Sequence, residues 1–265
     1  MSFKEDLKEV AAFRFKDEKL TPIHNVGFSD LDNFLGVDEQ IGILLKNTIK
    51  FVKNLPASDV LLWGERGTGK SSLVKAMLGK FFPEGLRIIQ IYKSQINDLS
   101  HLYGLLRGED YHFILFFDDL SFSIGEESWM VLKALLDGDI EERPSNILIY
   151  ATSNRRHLAK EEDVNERFAN DAYREMISLV ERFGIRLAFL SFSKEQYLNI
   201  VKNYAKLRGL QFEEDTLNKS AMEWVQRGGS FTGRSAFQFI EYLYGEEMLK
   251  EFDFKYIIKD KYINS

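Results

Sequence analysis

The chain has no cysteine and only 4 prolines among its 265 residues. Without cysteine, neither a disulfide nor a cysteine-ligated metal can hold the fold together, so stability has to come from a hydrophobic core, which a chain of this length can build. No segment approaches the roughly 18 to 20 consecutive apolar residues of a membrane-spanning helix. The first ten residues, MSFKEDLKEV, lack the apolar stretch of a secretory signal. We therefore expect a soluble, cytoplasmic protein without a membrane partner.

A basic stripe of the kind that marks a nucleic-acid surface is also absent from the sequence. The net charge is −6, and residues 192–265 carry 11 Lys and Arg against 11 Asp and Glu. This balance does not favour direct DNA binding by a monomer, although an assembly could still bring a few basic loops together.

Apolar runs and helical patterns alternate between about residues 59 and 190. The runs are DVLLW, RIIQIY, FILFF, NILIYA and RLAFL. Continuous apolar strands separated by helices are typical of a parallel sheet that is covered on both faces. After residue 192 the apolar residues recur at three- and four-residue spacing, which predicts helices. We divide the chain into an N-terminal extension (1–28), an α/β core (29–191) and a small helical region (192–265).

The run GERGTGKS follows the first apolar strand and precedes a predicted helix. It fits the pattern G-x-x-x-x-G-K-[ST], in which glycines let backbone N–H groups turn toward a phosphate and the helix N-terminus favours an anion. Lys70 would reach the terminal phosphates, and Ser71 would place its hydroxyl on Mg²⁺. The alternative is an ordinary glycine turn. The predicted nucleotide-binding residues are Gly64, Glu65, Arg66, Gly67, Thr68, Gly69, Lys70, Ser71 and Ser72.

Asp118 and Asp119 directly follow the apolar run FILFF. Two adjacent carboxylates at the end of a buried strand are unfavourable unless a cation or a polar partner holds them. In phosphate-loop proteins a neighbouring strand ends in an Asp that holds Mg²⁺. We therefore predict a metal site formed by Ser71 and Asp118. The alternative is a solvated pair that caps a helix beginning near Glu126.

These motifs resemble those of the AAA+ ATPases, and the resemblance covers nearly the whole chain. The phrases LDNFLGVDEQIGILLKNTIKF, LIYATSNRRHL, ERFG and GRSAFQFI extend it beyond the phosphate loop and the aspartates. The resemblance implies a three-layer α/β/α P-loop core with a five-stranded parallel sheet and a C-terminal helical lid, and the use of ATP and Mg²⁺. The narrower match is a family of bacterial AAA+-type proteins catalogued as a domain of unknown function.

The resemblance also implies roles for residues outside the phosphate loop. The segment that closes over the adenine corresponds to Leu35, Gly36 and Val37. The first sensor, a polar residue that orients the attacking water, corresponds to Asn154, with Thr152 and Ser153 as alternatives. The residues Arg155, Arg156 and His157 also match the narrower family, either for the nucleotide, for a subunit contact or as surface.

Three charged residues complete the implied site. Asp119 would be the base or would position the water. Arg182 corresponds to the arginine finger, which reaches the nucleotide of a neighbouring subunit and therefore requires an oligomer; the alternative is a helix-end arginine near the carbonyl dipole or in a surface salt bridge. Arg234, at the opening of a helix, corresponds to the second sensor.

The function implied is ATP hydrolysis that drives rearrangement between core and lid and between subunits of a homo-oligomer, acting on a protein or nucleic-acid client. The alternative is a slow-hydrolysing switch or loader, because Asp119 is one methylene shorter than the usual glutamate, although helicase loaders also carry Asp-Asp. A small-molecule phosphotransferase would leave Arg182 and the lid without a role. A GTPase is disfavoured because the sequence has no Asn-Lys-x-Asp signature.

Overall fold

The structure, a computed structural model, describes residues 3–123, 126–137, 142–156, 158 and 177–250. The chain divides into two compact units, Met1–Leu190 and Ser191–Ser265. The three-part division at residues 28 and 191 stays a prediction. Among the described helices, none combines the length and the apolar character that crossing a membrane requires.

In the first unit, the described residues form a seven-stranded sheet with the order β2-β1-β4-β5-β6-β3-β7. The strands are β1 (Ala12–Lys16), β2 (Lys19–Ile23), β3 (Val60–Gly64), β4 (Leu86–Ile91), β5 (His112–Phe117), β6 (Ile147–Ser153) and β7 (Ile185–Phe189). The five strands from β4 to β7 in this order are parallel to one another. The α/β class predicted from the sequence is thereby confirmed.

The predicted count of five strands is wrong, because the N-terminal residues add two strands. β1 pairs in parallel with β4, and β2 pairs antiparallel with β1. The run AFRFK of β1 includes exposed Arg14 and Lys16 between and after buried residues, so it lacks the continuous apolar character of a central strand. β2 lies at the edge of the sheet and contains Pro22, which an edge strand tolerates. A search for continuous apolar runs therefore does not detect either strand.

Helices cover both faces of this sheet. The helices of the first unit are α1 (Phe3–Glu9), α2 (Asp38–Val52), α3 (Lys70–Phe81), α4 (Leu99–Leu106) and α5 (Ser128–Asp137), with 3-10 turns at Leu31–Asn33 and Lys93–Asp98 and helical residues at 177–181. Trp129 of α5 lies in the same buried cluster as Ile149 of β6. Since side chains alternate along a strand, Tyr150 faces the other side, where its hydroxyl lies 3.0 Å from Thr48 Oγ1 of α2.

Arg87 of β4 is 3% exposed and joins α1 to the sheet. Its Nε and Nη2 donate to the Leu7 carbonyl over 2.8 and 2.6 Å, and Nη1 donates to the carbonyls of Phe82 and Leu86 over 3.1 and 2.7 Å. The guanidinium Cζ lies 4.2 Å from the ring centroid of Phe82 and 4.6 Å from that of Tyr111. Burial lowers the pKa of Arg87 from its ordinary value, and Tyr111 opposes this change. One planar cation thus satisfies several buried carbonyls and holds α1 on the core.

The second unit contains the helices α6 (Lys194–Leu207), α7 (Glu214–Gln226) and α8 (Gly233–Leu249). Ser193 begins α6 with a capping box, in which its side chain accepts from the Gln196 N–H and the Gln196 side chain accepts from the Ser193 N–H. Thr232 caps α8 by accepting a hydrogen bond from the Ser235 N–H. The helices bury the apolar residues Tyr197, Ile200, Val201, Leu217, Ala221, Phe239 and Ile240.

Replacing Arg87 by methionine removes the donors to these buried carbonyls. We expect Arg87→Met to lower the free energy of unfolding by roughly 1–3 kcal/mol, the typical cost of buried polar groups left unpaired. Urea denaturation followed by circular dichroism measures this change. Arg14→Met alters an exposed arginine of β1 and should stay within about 0.5 kcal/mol of the wild type. Equal stabilities of Arg87→Met and Arg14→Met would contradict the role of Arg87.

Candidate nucleotide-binding site

The candidate site lies where β3, β5 and β6 end. β6 is the central one of these three strands, and the register places Trp63 of β3 beside Ser153 and Phe117 of β5 beside Ala151. The glycine loop after β3, the aspartates after β5 and the polar residues at the end of β6 therefore emerge at one edge of the sheet. The carboxyl edge of a parallel sheet is where open α/β folds bind their ligands.

The glycine loop turns from β3 into α3 through residues with positive φ. Gly69 is the N-cap of α3 and has a φ of 100°, a conformation that glycine adopts without a Cβ penalty. A Cβ at Gly69 would lie 3.4 Å from the ring of Phe34, which packs beside the start of α3. Thr68 closes the turn by donating from Oγ1 to the Glu65 carbonyl over 2.7 Å. The glycine turn thus leads directly into the N-terminus of α3. A glycine-rich turn before a helix N-terminus is an arrangement that favours the binding of an anion.

Gly64, the first residue of the loop, is required by the neighbouring strand. The Glu65 N–H donates to the Phe189 carbonyl of β7 over 2.8 Å, so the two backbones approach closely. A Cβ at Gly64 would lie 2.0 Å from that carbonyl oxygen, and the φ of Gly64 is 128°. The glycine is therefore explained by the packing of β3 against β7, in addition to any contact with a phosphate.

Lys70 is 7% exposed and its ammonium group lies over the loop. Its Nζ donates to the Gly64 carbonyl over 2.8 Å and to the Glu65 carbonyl over 2.6 Å. α3 begins at Lys70, so this cation belongs to the first turn of a helix, the end that carries partial positive charge. The positive charge of Lys70 and the partial positive charge of the α3 N-terminus consequently lie at the same place, the end of the glycine loop.

Ser71 and Asp118, the two predicted metal ligands, lie within hydrogen-bonding distance of each other. Ser71 Oγ donates to Asp118 Oδ1 over 2.5 Å, and Thr152 Oγ1 donates to the same carboxylate oxygen over 2.6 Å. Such oxygen atoms suit Mg²⁺, which is commonly held by one or two protein ligands together with phosphates and water. Among the residues that the structure describes, no group of three or more His, Asp or Glu could hold a metal alone. The oxygen atoms of Ser71 and Asp118 fit part of the ligand shell of a magnesium ion.

Asp119 turns away from Asp118 and contacts a different partner. It has a φ of 55°, which is uncommon for a residue other than glycine. Its N–H donates to Thr152 Oγ1 over 2.9 Å, and its Oδ1 accepts a hydrogen bond from Asn154 Nδ2 at 2.5 Å. The two adjacent carboxylates thus have separate hydrogen-bond partners, which answers the electrostatic difficulty of placing them side by side.

The three polar residues at the end of β6 have different surroundings. Thr152 and Ser153 are 1% and 0% exposed, and Ser153 Oγ accepts from the Arg155 N–H. Asn154 is partly exposed and its side chain contacts Asp119. Of these three candidates for the first sensor, Asn154 is the one whose side chain is partly exposed. Its role as a sensor stays a prediction.

The family and the fold follow from comparison with known proteins. The family described as "Protein of unknown function (DUF815)" matches residues 8–247. The chain belongs to this family. An "Uncharacterized protein" of Haemophilus influenzae is 24% identical over 201 residues, which cover 74% of this chain and 79% of that one.

Solved structures of RuvB resemble this family member in fold. The Thermotoga maritima RuvB Holliday junction branch migration motor is 19% identical with a TM-score of 0.55, and a variant structure of the same motor is 18% identical with a TM-score of 0.56. Each likeness covers 83% of this chain, which spans 65% of the length of those chains. The likeness shows the fold, a RuvB-like α/β core.

The remaining residues predicted from the family resemblance are placed as follows. Val37, which is 5% exposed, directly precedes α2, and this segment follows Phe34, the residue that packs on Gly69. The guanidinium of Arg156 lies 5.5 Å from the ring centroid of Trp63, a cation–π distance, directly before the loop. His157 lies outside the described residues.

The two predicted phosphate-contacting arginines lie in different units. Arg182 forms an ion pair with Asp137, the last residue of α5, and both side chains are partly exposed. Arg234 lies in the first turn of α8 in the second unit and is partly exposed. The roles of both arginines stay predictions.

Three contacts of this region were not predicted from the sequence. They are those of Thr152 with the aspartates, of Phe34 with Gly69 and of Asp137 with Arg182. A signal existed for Asp137, because a carboxylate in the last turn of a helix is unfavourable beside the carbonyl dipole and calls for a cation. The other two contacts depend on how distant segments pack, which no local pattern contains.

Adding one methyl group to Gly64 should prevent the close approach of β3 and β7. We expect Gly64→Ala to destabilise the fold by about 3 kcal/mol or more, since overpacking and backbone strain both oppose it. Thermal unfolding measures the loss. Gly27→Ala is the matched control, because a Cβ at Gly27 would meet nothing within 4 Å. If Gly64→Ala has the same melting temperature as Gly27→Ala, β3 and β7 can move apart without loss of stability, which would contradict this prediction.

Proposed function

We propose that this protein is an Mg²⁺-dependent ATPase of the AAA+ type, which hydrolyses ATP to ADP and phosphate. The observation that carries the proposal is the run of hydrogen bonds that joins Ser71, Asp118, Thr152, Asp119 and Asn154, beside a glycine loop that contains Lys70. This set combines a phosphate-binding loop, oxygen ligands for a metal and a carboxylate for a water molecule. The AAA+ fold supports the same activity.

Binding would use the cations and N–H groups at the start of α3. Lys70 now donates to two loop carbonyls and would exchange one of them for an oxygen of the terminal phosphates. Ser71 and Asp118 would hold Mg²⁺, which when bound supplies positive charge that offsets the charge of the transferred phosphoryl group. The segment from Leu35 to Val37 would cover the adenine, since the neighbouring Phe34 packs against Gly69.

Hydrolysis would depend on Asp119 and Asn154. Asp119 would accept a proton from the attacking water, as a carboxylate base does. Asn154 holds this carboxylate by donating to Oδ1 and would orient the same water. The left-handed backbone of Asp119 directs its side chain to Asn154 and away from the metal ligand Asp118.

A slow-hydrolysing ATP switch is the second candidate function. The observation in its favour is that Asp119, already one methylene shorter than a glutamate, accepts a hydrogen bond from Asn154 on one of its two carboxylate oxygens. A base displaced by about 1 Å can cost on the order of a hundredfold in rate. Such a protein would assemble on ATP as a loader or scaffold and release phosphate slowly.

Phosphate release separates the two functions. For an ATPase, Asp119→Asn should lower kcat about 10²- to 10⁴-fold while ATP still binds, because only the base is lost. Asp110→Asn is the matched control, since Asp110 is exposed and precedes β5 at the opposite edge of the sheet. Equal, near-zero release by wild type and Asp119→Asn, with assembly driven by ATP in gel filtration, would instead establish the switch. A wild type that binds no ATP would refute both.

Arg182 would act in the site of a neighbouring subunit, which makes the active form a homo-oligomer. In the single chain its guanidinium pairs with Asp137, and the side chains are 33% and 40% exposed. An exposed pair of this kind contributes little stability, so Arg182 can leave Asp137 for a phosphate at modest cost. Arg234 would report the phosphate state to the lid, because a cation in the first turn of a helix is better placed beside an anion.

Mixing two inactive variants tests whether Arg182 acts between subunits. Lys70→Ala loses its own nucleotide contact but keeps Arg182, and Arg182→Ala keeps its site but lacks the finger. Each alone should lose at least about a hundredfold in activity, and an equimolar mixture should regain a measurable fraction of the wild-type rate. As a control, wild type is mixed with a double variant that carries both Lys70→Ala and Arg182→Ala. This mixture measures how inactive subunits alone lower the activity of an assembly. A mixture as inactive as its components would place Arg182 outside the neighbouring site.

The energy of hydrolysis would drive movement between core and lid and between subunits, on a macromolecular client. Both protein and nucleic acid are compatible with the balanced charge of the C-terminal residues. An Asp119→Asn variant, in which ATP stays bound, provides the form for capturing the client.

A further inference from the structure

Thr152 contacts three consecutive residues at the end of β5. Its Oγ1 donates to Asp118 Oδ1 over 2.6 Å and accepts from the Asp119 N–H over 2.9 Å. Its carbonyl oxygen accepts from the Leu120 N–H over 2.7 Å. One buried residue of β6 therefore determines the position of both aspartates and of the backbone that follows them.

The backbone at Asp119 needs such support. A φ of 55° is disfavoured for a residue with a Cβ, and it persists only where the surroundings hold it. The hydrogen bonds of Thr152 hold the N–H groups of Asp119 and Leu120 on either side of this Cα. Thr152 is 1% exposed and β-branched, so its hydroxyl has a restricted orientation.

We propose that Thr152 is a positioning residue that couples the metal ligand to the base. The inference rests on the proposed ATPase function and extends it. Through Oγ1, Thr152 holds Asp118 toward Ser71 and turns Asp119 toward Asn154. Thr152 does not contact the terminal phosphate itself, because its hydroxyl already donates its hydrogen bond to Asp118 and its side chain is buried.

A residue that positions both aspartates should affect both kcat and metal binding when it is replaced, whereas a residue with one role should affect only one of them. Loss of the Asp119 carboxyl should reduce kcat alone, and loss of the Ser71 hydroxyl should weaken metal binding. Loss of the Thr152 hydroxyl should do both, because the same oxygen bonds both aspartates. A residue needed only for stability would lower the melting temperature and leave the Mg²⁺ dependence unchanged.

The test compares Thr152→Val, which keeps the branched shape and removes the hydroxyl, with Thr152→Ser, which keeps the hydroxyl. The measured quantity is the ratio of ATP affinity with Mg²⁺ to ATP affinity in EDTA, together with kcat. We expect Thr152→Val to reduce this ratio about 10- to 100-fold and kcat about a hundredfold, with the affinity in EDTA unchanged. Thr152→Ser should restore both to within about threefold of wild type.

Thr48→Val is the matched control. Thr48 is also fully buried, and its hydroxyl donates to the Leu44 carbonyl and lies 3.0 Å from the Tyr150 hydroxyl, within α2 and away from the aspartates. Its removal should lower the melting temperature without changing the Mg²⁺ ratio. If Thr152→Val fails to fold, Thr152→Ala compared with Thr152→Ser removes the same oxygen.

The outcomes separate this inference from the function on which it rests. A wild type with Mg²⁺-dependent ATP binding and a Thr152→Val protein with the same ratio and kcat would overturn the role of Thr152 alone. If Thr152→Val and Thr152→Ala both fail to fold while Thr152→Ser is active, the hydroxyl is needed for stability, and the proposed role is overturned. A wild type without Mg²⁺-dependent binding or phosphate release would refute the ATPase itself.

Discussion

The position of β6 between β3 and β5 is the constraint on which the candidate site depends. Its backbone bonds to both neighbours set the register that brings Ser153 beside Trp63 and Ala151 beside Phe117. The chain leaves the sheet just beyond these pairs, so the glycine loop, the aspartates and Asn154 meet without any direct covalent connection. A shift of one residue would turn the side chains of β6 to the opposite faces and remove Thr152 from the aspartates.

Two backbone positions at this edge are determined by their surroundings. Gly64 allows β3 to approach β7, where a Cβ would overlap the Phe189 carbonyl. Asp119 adopts a left-handed conformation and is held by Thr152 and Asn154. Strain of this kind persists only where the surrounding structure determines the conformation, and it is concentrated at functional sites. The adjacent aspartates thereby have different side-chain partners, Ser71 for Asp118 and Asn154 for Asp119.

Much of the core could be predicted because its signals are local. Continuous apolar runs revealed the five parallel strands, and the spacing of glycines and Lys70 revealed the glycine turn between β3 and α3. β1 and β2 were missed, since β1 alternates in exposure and β2 is an edge strand with a proline. Arg87 was missed as well, because an isolated arginine in a strand does not show from the sequence that it is buried and bonded to α1.

By itself, the sequence determined the elements whose parts are adjacent along the chain: the α/β pattern, the eight-residue glycine loop and the aspartates at the end of an apolar strand. Only the tertiary structure decided how these parts are paired. Thr152 and Asp118 are 34 positions apart, and Arg182 and Asp137 are 45 positions apart. A hydrogen bond or ion pair over such a separation has no period or spacing in the sequence, because strand order and register create it.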